Sequence, residues 1–318
     1  MILSIIRKVM IPRIKPPGSV RRSLILGFAL AAILTAACGG GGESTRGSGI
    51  KVVATTTQIG ALTRAVAGDK VQLSILLQAG ASAHDYEPDP SALKKIAAAK
   101  VVLKNGIGLD DWLDKSISSA GGTDSVVVVT AGVAISKGAE GDEDDPHVWH
   151  DPKNARIMVE NIVKALSAAD PANAVTFKAN GDAYSLKLDA VDKEVRSLIG
   201  AIPAANRKMV TNHDSFGYFV RAYGLTFVGA VIPSTSSESQ PSAKDLAALQ
   251  DLIRRDGVRA IFAEEEIDPK VAREISKDTG VKIVDNLYAD SLGKPGSGAE
   301  TVDGMILSNA RKIAEALK

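Results

Sequence analysis

The sequence predicts an α/β protein built as two similar lobes, each with a four-stranded, mostly parallel sheet flanked by helices, joined by one long rigid backbone helix. Three observations carry this expectation. There are two successive sets of short β-branched runs, helical patterns fall between the runs of each set, and one long apolar stripe of helical period separates the sets.

In the first set, Lys51 to Thr55, Val71 to Leu77, Val101 to Lys104 and Ser125 to Thr130 read as strands. Helical patterns cover Ile59 to Ala67, Ser91 to Ala99 and Asp110 to Ser119. In the second set the strands are Lys208 to Thr211, Leu225 to Val231, Arg259 to Ala263 and Val281 to Asp285. The helices between them include one opened by Ser242-Ala-Lys-Asp245, a capping pattern. Between the sets, a helical pattern runs from about Pro171 to Ile199, with Phe177, Tyr184, Leu188, Val191, Val195 and Leu198 in one stripe. At 1.5 Å per residue it spans roughly 40 Å, enough to cross both lobes. A lone connecting helix of that length makes a stiff hinge; the alternative is an amphipathic helix inside one domain.

The N-terminus reads as an address. Arg7, Lys8, Arg13, Lys15, Arg21 and Arg22 precede an apolar run from Leu24 to Ala37 that is too short to span a membrane comfortably. The run stops at Cys38, the only cysteine, and Ala36-Ala37-Cys38 resembles the lipobox at which bacterial lipoproteins are cleaved and diacylated. Gly39 to Gly42 and the polar stretch after them then form a flexible tether reaching about 18 Å. The expected organisation is a signal peptide over 1–37, a lipid-anchored linker over 38–49, a first lobe over 50–169, the backbone helix over 170–200 and a second lobe over 201–318. With no cysteine beyond Cys38 there is no disulfide framework, and any metal site must use nitrogen and oxygen.

Composition narrows the function. The 318 residues are 45% hydrophobic and 24% charged, ample for ordinary cores. The 38 basic residues nearly cancel the 37 acidic ones, so no field of one sign draws in nucleic acid. The four histidines, His84, His147, His150 and His213, avoid apolar periodic stretches and fall just after predicted strands or in the loops beyond them. In open α/β sheets that is where ligands bind, and imidazole is the commonest protein ligand for zinc-like metals.

Four segments follow in order: His84-Asp-Tyr-Glu-Pro88, Asp145-Pro-His-Val-Trp-His-Asp-Pro152, Asn212-His-Asp-Ser-Phe-Gly-Tyr218 and Asn286-Leu-Tyr-Ala-Asp-Ser291. They resemble the metal-site motifs of the zinc- and manganese-binding solute-binding lipoproteins of metal ABC importers, over essentially the whole chain from Ile50 to Lys318. The resemblance implies a metal site in the cleft, with His84 and His147 as ligands from one lobe and His213 and Asp290 from the other. It implies no catalysis. The implied partners are the permease and ATPase of an importer and, through Cys38, the membrane; the chain is expected to be an exported monomer.

Glu264 matches a family Glu near the site and is expected to orient an imidazole. Tyr86 and Trp149, with Phe216, Tyr218 and Tyr288, sit within the motifs, either as an apolar wall around the metal or as ordinary loop packing. His150 is read as lying behind the ligands or exposed, Asp151 as a helix N-cap before Pro152, and Glu265 and Glu266 as facing solvent. Where zinc members of the family often carry a His-rich loop, this chain has the short acidic stretch from Ser136 to Asp145, read as solvated. Three imidazoles and one carboxylate favour Zn2+, with Mn2+ as the alternative. Readings of another class are a zinc hydrolase, for which no His-Glu-x-x-His pattern occurs, a binder of haem, siderophore or cobalamin, and an adhesin.

Overall fold

A computed structural model describes residues 49–84, 86–119, 126–139 and 141–318. The expectations for the signal peptide, for Cys38 and for the tether up to residue 48 lie outside the described residues.

Two four-stranded parallel sheets are present. The first contains β1 (Lys51–Ala54), β2 (Gln72–Ile75), β3 (Val101–Lys104) and β4 (Val126–Val128) in the order β2-β1-β3-β4, with α1 (Thr57–Ala67), α2 (Pro90–Ala97) and α3 (Trp112–Ser119) between them. The second contains β5 (Lys208–His213), β6 (Thr226–Ile232), β7 (Ala260–Glu264) and β8 (Lys282–Leu287) in the order β6-β5-β7-β8. Its helices are α6 (Gly217–Tyr223), α7 (Ala243–Asp256) and α8 (Lys270–Thr279), and α9 (Val302–Leu317) follows. All pairings between these eight strands are parallel. β7 is buried along its whole length, and its sequence, Ala-Ile-Phe-Ala-Glu, accordingly lacks apolar alternation.

Local chemistry sets the helix starts. Thr56 caps α1 by accepting from the Ile59 N–H, and Asp89 caps α2 by accepting from the Ala92 N–H just before Pro90. At α7 the expected capping box is present: Ser242 Oγ accepts from the Asp245 N–H at 3.2 Å and the Asp245 carboxylate accepts from the Ser242 N–H at 2.9 Å.

The long helix is α5 (Ala174–Gly200), preceded by a short 3-10 turn at Pro171–Asn173. Phe177, Tyr184, Leu188, Val191 and Val195 are buried as the stripe requires, but it ends on fully buried Ile199; Leu198 is only partly buried. Each fully buried Phe, Leu, Val or Ile in the stripe contributes about 1.5–3 kcal/mol. The helix is not solitary. It packs along α4 (Pro152–Ala169) as well as α1 and α9. Gly181 permits the close approach of α4, because a Cβ there would stand 2.5 Å from Val163 Cγ2. One turn of α5 ties to both sides: Asn180 Nδ2 donates to the Val66 carbonyl of α1 at 2.9 Å, and the Tyr184 hydroxyl donates to Asp303 of α9 at 2.7 Å. The helix is thus part of a braced helical layer rather than a free rod.

Candidate metal centre

The crevice beyond the carboxyl ends of the two sheets collects the histidines. His84 lies in the loop after β2, His147 just before a 3-10 turn at Val148–His150, and His213 is the last residue of β5. Asp290 follows β8, whose register against β7 shifts between Phe262 and Glu264. Asn286, on the longer side of that shift, takes a left-handed conformation with φ 64, which asparagine tolerates better than most residues. The irregularity turns the chain after Leu287 toward the crevice.

His84, His147, His213 and Asp290 each offer one atom to a cluster in which all four lie within 4.8 Å of one another. His147 Nε2 stands 3.2 Å from Asp290 Oδ1 and 3.4 Å from His213 Nε2. His213 Nε2 is 3.7 Å from Asp290 Oδ1, and His84 Nε2 is 3.7 Å from Asp290 Oδ2. A tetrahedral zinc site with bonds near 2.0–2.1 Å needs donors about 3.3 Å apart, which the 3.2–3.7 Å separations among His147, His213 and Asp290 Oδ1 approach, while His84 Nε2 stands on the Oδ2 side within the 4.8 Å cluster. His84 Nε2 and Asp290 Oδ1 are buried without a hydrogen-bond partner, which is costly unless something else engages them. The donor set and its orphaned atoms fit a divalent cation.

Two carboxylates hold the deepest imidazoles from behind. Asp145 accepts from the His147 N–H at 3.0 Å and pairs with its Nδ1 at 2.8 Å. Glu264 does the same for His213, with Nδ1 at 2.5 Å and the backbone N–H at 3.2 Å. Each clamp fixes Nδ1 and leaves Nε2 directed into the cluster. Glu264 was legible from its motif. Asp145 was missed as an orienting group, although its place two residues before His147 was the available signal.

The electrostatics follow from this packing. Burial alone would lower the His147 pKa, but Asp145 and Asp290 outweigh it and push it up to about 10. His213 is also raised, with Glu264 and Asp290 overcoming burial. His84 is lowered to about 4 by burial, with Asp290 opposing and the other two imidazoles assisting. Asp290 is held far below the usual carboxylate range, because the three imidazoles overcome its burial.

The aromatic residues divide. The Trp149 indole donates to the Ala289 carbonyl at 3.0 Å and its ring meets His147 edge-on at 5.5 Å. The half-buried Tyr86 instead packs on Trp112 at 4.7 Å, and the Trp112 indole holds the Ala83 carbonyl next to His84. The Tyr218 hydroxyl bonds the Ser136 N–H and the Asp145 carbonyl. Tyr288 lies beneath Lys312, with its backbone held by Asn309.

Two surface expectations change. His150 is fully buried, stacked on Phe216 at 4.6 Å, with both ring nitrogens unpartnered, and burial with the neighbouring His147 lowers it to about 3. It is not exposed, and it stands outside the four-donor cluster. The Glu266 carboxylate turns inward and accepts from the Ser291 N–H and hydroxyl at 2.8 Å, and burial beside Asp290 and Glu264 raises it to about 8. The strand end that places Glu264 also brings Glu266 under the Asp290 loop. The acidic stretch is mostly exposed over its described residues up to Asp144, as a solvated loop should be, with a few ties: Lys137 pairs with Asp144, Asp214 accepts from the Ala139 N–H, and Glu143 accepts from the Thr235 hydroxyl. Asp151 caps α4 before Pro152, as expected.

Fold and site together define a two-lobed α/β binding protein organised around a buried, cation-sized cluster between two parallel sheets. Residues 52–316 match the family described as ZnuA, zinc-uptake complex component A, periplasmic. The iron ABC transporter substrate-binding lipoprotein MtsA of Streptococcus pyogenes serotype M1 is 34% identical over 311 residues, covering 93% of this chain and 98% of that protein. The manganese ABC transporter substrate-binding lipoprotein PsaA of Streptococcus pneumoniae is 33% identical over 305 residues, with the same coverage, 93% and 98%. Among solved structures, the periplasmic zinc-binding protein TroA from Treponema pallidum superposes with a TM-score of 0.80 at 30% identity, covering 85% of this chain and 99% of that one. The chain therefore belongs to this family of solute-binding proteins of metal ABC importers, and is a binding component rather than an enzyme.

Proposed function

We propose that this chain captures Zn2+ outside the cytoplasm and delivers it to the permease and ATPase of an ABC importer, with His84, His147, His213 and Asp290 as the ligands. The observation that carries the reading is the cluster itself: three imidazole nitrogens and one carboxylate oxygen within 4.8 Å of one another, a donor set suited to zinc. Nitrogen-rich sets hold zinc more tightly than manganese, whose preferred sets are richer in oxygen.

A second reading, manganese or iron as cargo, is favoured by the relatives named for those metals. In either case the chain works as a monomer anchored through acylated Cys38, with lobes over 50–169 and 201–318 joined by the backbone helix over 170–200. The test is elemental analysis of mature protein purified without added metal, followed by competition between zinc and manganese. Recovery of about one zinc per chain and displacement of manganese by zinc support the zinc reading. Preferential retention of manganese or iron replaces it with the second.

A further inference from the structure

Ser82 stands on the first lobe, two residues before His84, and its hydroxyl meets three groups. The His84 N–H donates to it at 3.1 Å, Ser237 Oγ lies at 3.0 Å, and Asp290 Oδ2 lies at 3.4 Å. Ser237 and Asp290 come from two different loops of the second lobe. A hydroxyl has one proton and two lone pairs. The His84 N–H donates to Ser82, Ser82 donates its single proton to Asp290 Oδ2, and either hydroxyl of the Ser82–Ser237 pair can serve as donor, so the bond to Asp290 is kept when Ser237 donates.

The two oxygens of Asp290 therefore differ. Oδ1 faces His147 and His213 and has no hydrogen-bond partner, whereas Oδ2, which stands 3.7 Å from His84 Nε2, is also engaged by Ser82 at 3.4 Å. An oxygen whose lone pair accepts a hydrogen bond is a poorer donor to a cation, and the bond also resists rotation of the carboxylate.

We propose that Ser82 is a selectivity-setting positioning residue: its hydroxyl restrains Asp290 Oδ2, so that the carboxylate presents one oxygen to the cation. The donor set then stays at three nitrogens and one oxygen, which suits zinc. Without the hydroxyl, Oδ2 joins Oδ1 as a second donor. The site gains an oxygen and a coordination position, and both changes favour manganese. This inference rests on the cation-binding reading above.

The test uses the whole mature protein and its Ser82→Ala and Ser82→Thr variants, each titrated with zinc and with manganese against the same chelator. Loss of a group that orients a ligand weakens metal binding by about 10–100-fold, and the long 3.4 Å contact argues for the lower end. The zinc-to-manganese affinity ratio is expected to fall about tenfold in Ser82→Ala and to stay near the unmodified value in Ser82→Thr, which keeps the hydroxyl. Cobalt(II) gives a second readout: the intense visible bands of four-coordinate cobalt weaken toward a five-coordinate spectrum in Ser82→Ala only. Should that variant be unstable, Ser82→Val against Ser82→Thr repeats the contrast at equal size.

An unchanged ratio, equal weakening of both metals, or the same shift in Ser82→Thr overturns the inference. If the unmodified protein binds neither metal, the cation-binding reading beneath it fails instead.

Discussion

Replacing Asp145 with Asn should produce an affinity loss that grows with pH. Asp145 is fully buried and holds His147 through both its backbone N–H and Nδ1, so the substitution keeps the shape but removes the charge. Two effects then oppose each other. Loss of the orienting carboxylate weakens metal binding by about 10–100-fold, or roughly 1.4–2.7 kcal/mol. Against this, the metal-free protein keeps His147 protonated up to about pH 10 instead of 6.5, which corresponds to on the order of 5 kcal/mol favouring the imidazolium, shared between Asp145 and Asp290. A cation must displace that proton, and at pH 7 the displacement is unfavourable. The Asn variant is relieved of part of this competition. At pH 7 the two effects offset one another and the affinity gap between the proteins is small; as the pH rises through 9 toward 10 the competition weakens and the gap widens toward the full loss. Chelator-competition titrations at pH 6, 7, 8 and 9 measure it. A gap that is constant across those pH values would refute the argument that Asp145 acts on the basicity of His147.

Simultaneous His84→Ala and His213→Ala substitution is expected to abolish metal uptake, because it removes one donor from each side of the cluster; elemental analysis after dialysis against metal reads this. His213→Glu should shift preference toward manganese by adding oxygen donors, with an unchanged zinc-to-manganese ratio in competition counting against it. Metal binding should release protons, one from His147 and a further fraction from the raised His213, while His84, lowered to about 4, is already neutral at pH 7. Calorimetry in buffers of different ionisation enthalpy counts those protons, and affinity should fall as the pH drops through the range below 10. Tyr184→Phe removes the hydroxyl bond to Asp303, costing about 1 kcal/mol and lowering the thermal midpoint by roughly 2–4 °C.

The parts of the architecture that rest on period and chain order were legible in the sequence. β-branched runs marked the eight strands of the described residues to within a few positions, and Ser242 with Asp245 marked the start of α7. The four cluster residues were legible because motifs concentrate chemistry into short segments. The missing parts depend on distant packing. Nothing local indicates that α4 lies against α5, since that contact follows from Gly181 meeting Val163. Glu266 and His150 are polar residues in loop-like sequence, yet the turn after β7 and the stacking on Phe216 bury them. Ser82 gave no signal, because its partners Ser237 and Asp290 lie more than a hundred residues away along the chain.

Anomalous diffraction from crystals of the metal-loaded protein tests the account most directly. One cation is expected, bound by Nε2 of His84, His147 and His213 and by an Asp290 oxygen at about 2.0–2.2 Å. A cation bound elsewhere, or one that leaves either the His84–His147 pair or the His213–Asp290 pair out of its coordination, would contradict the claim that both lobes grip a single ion.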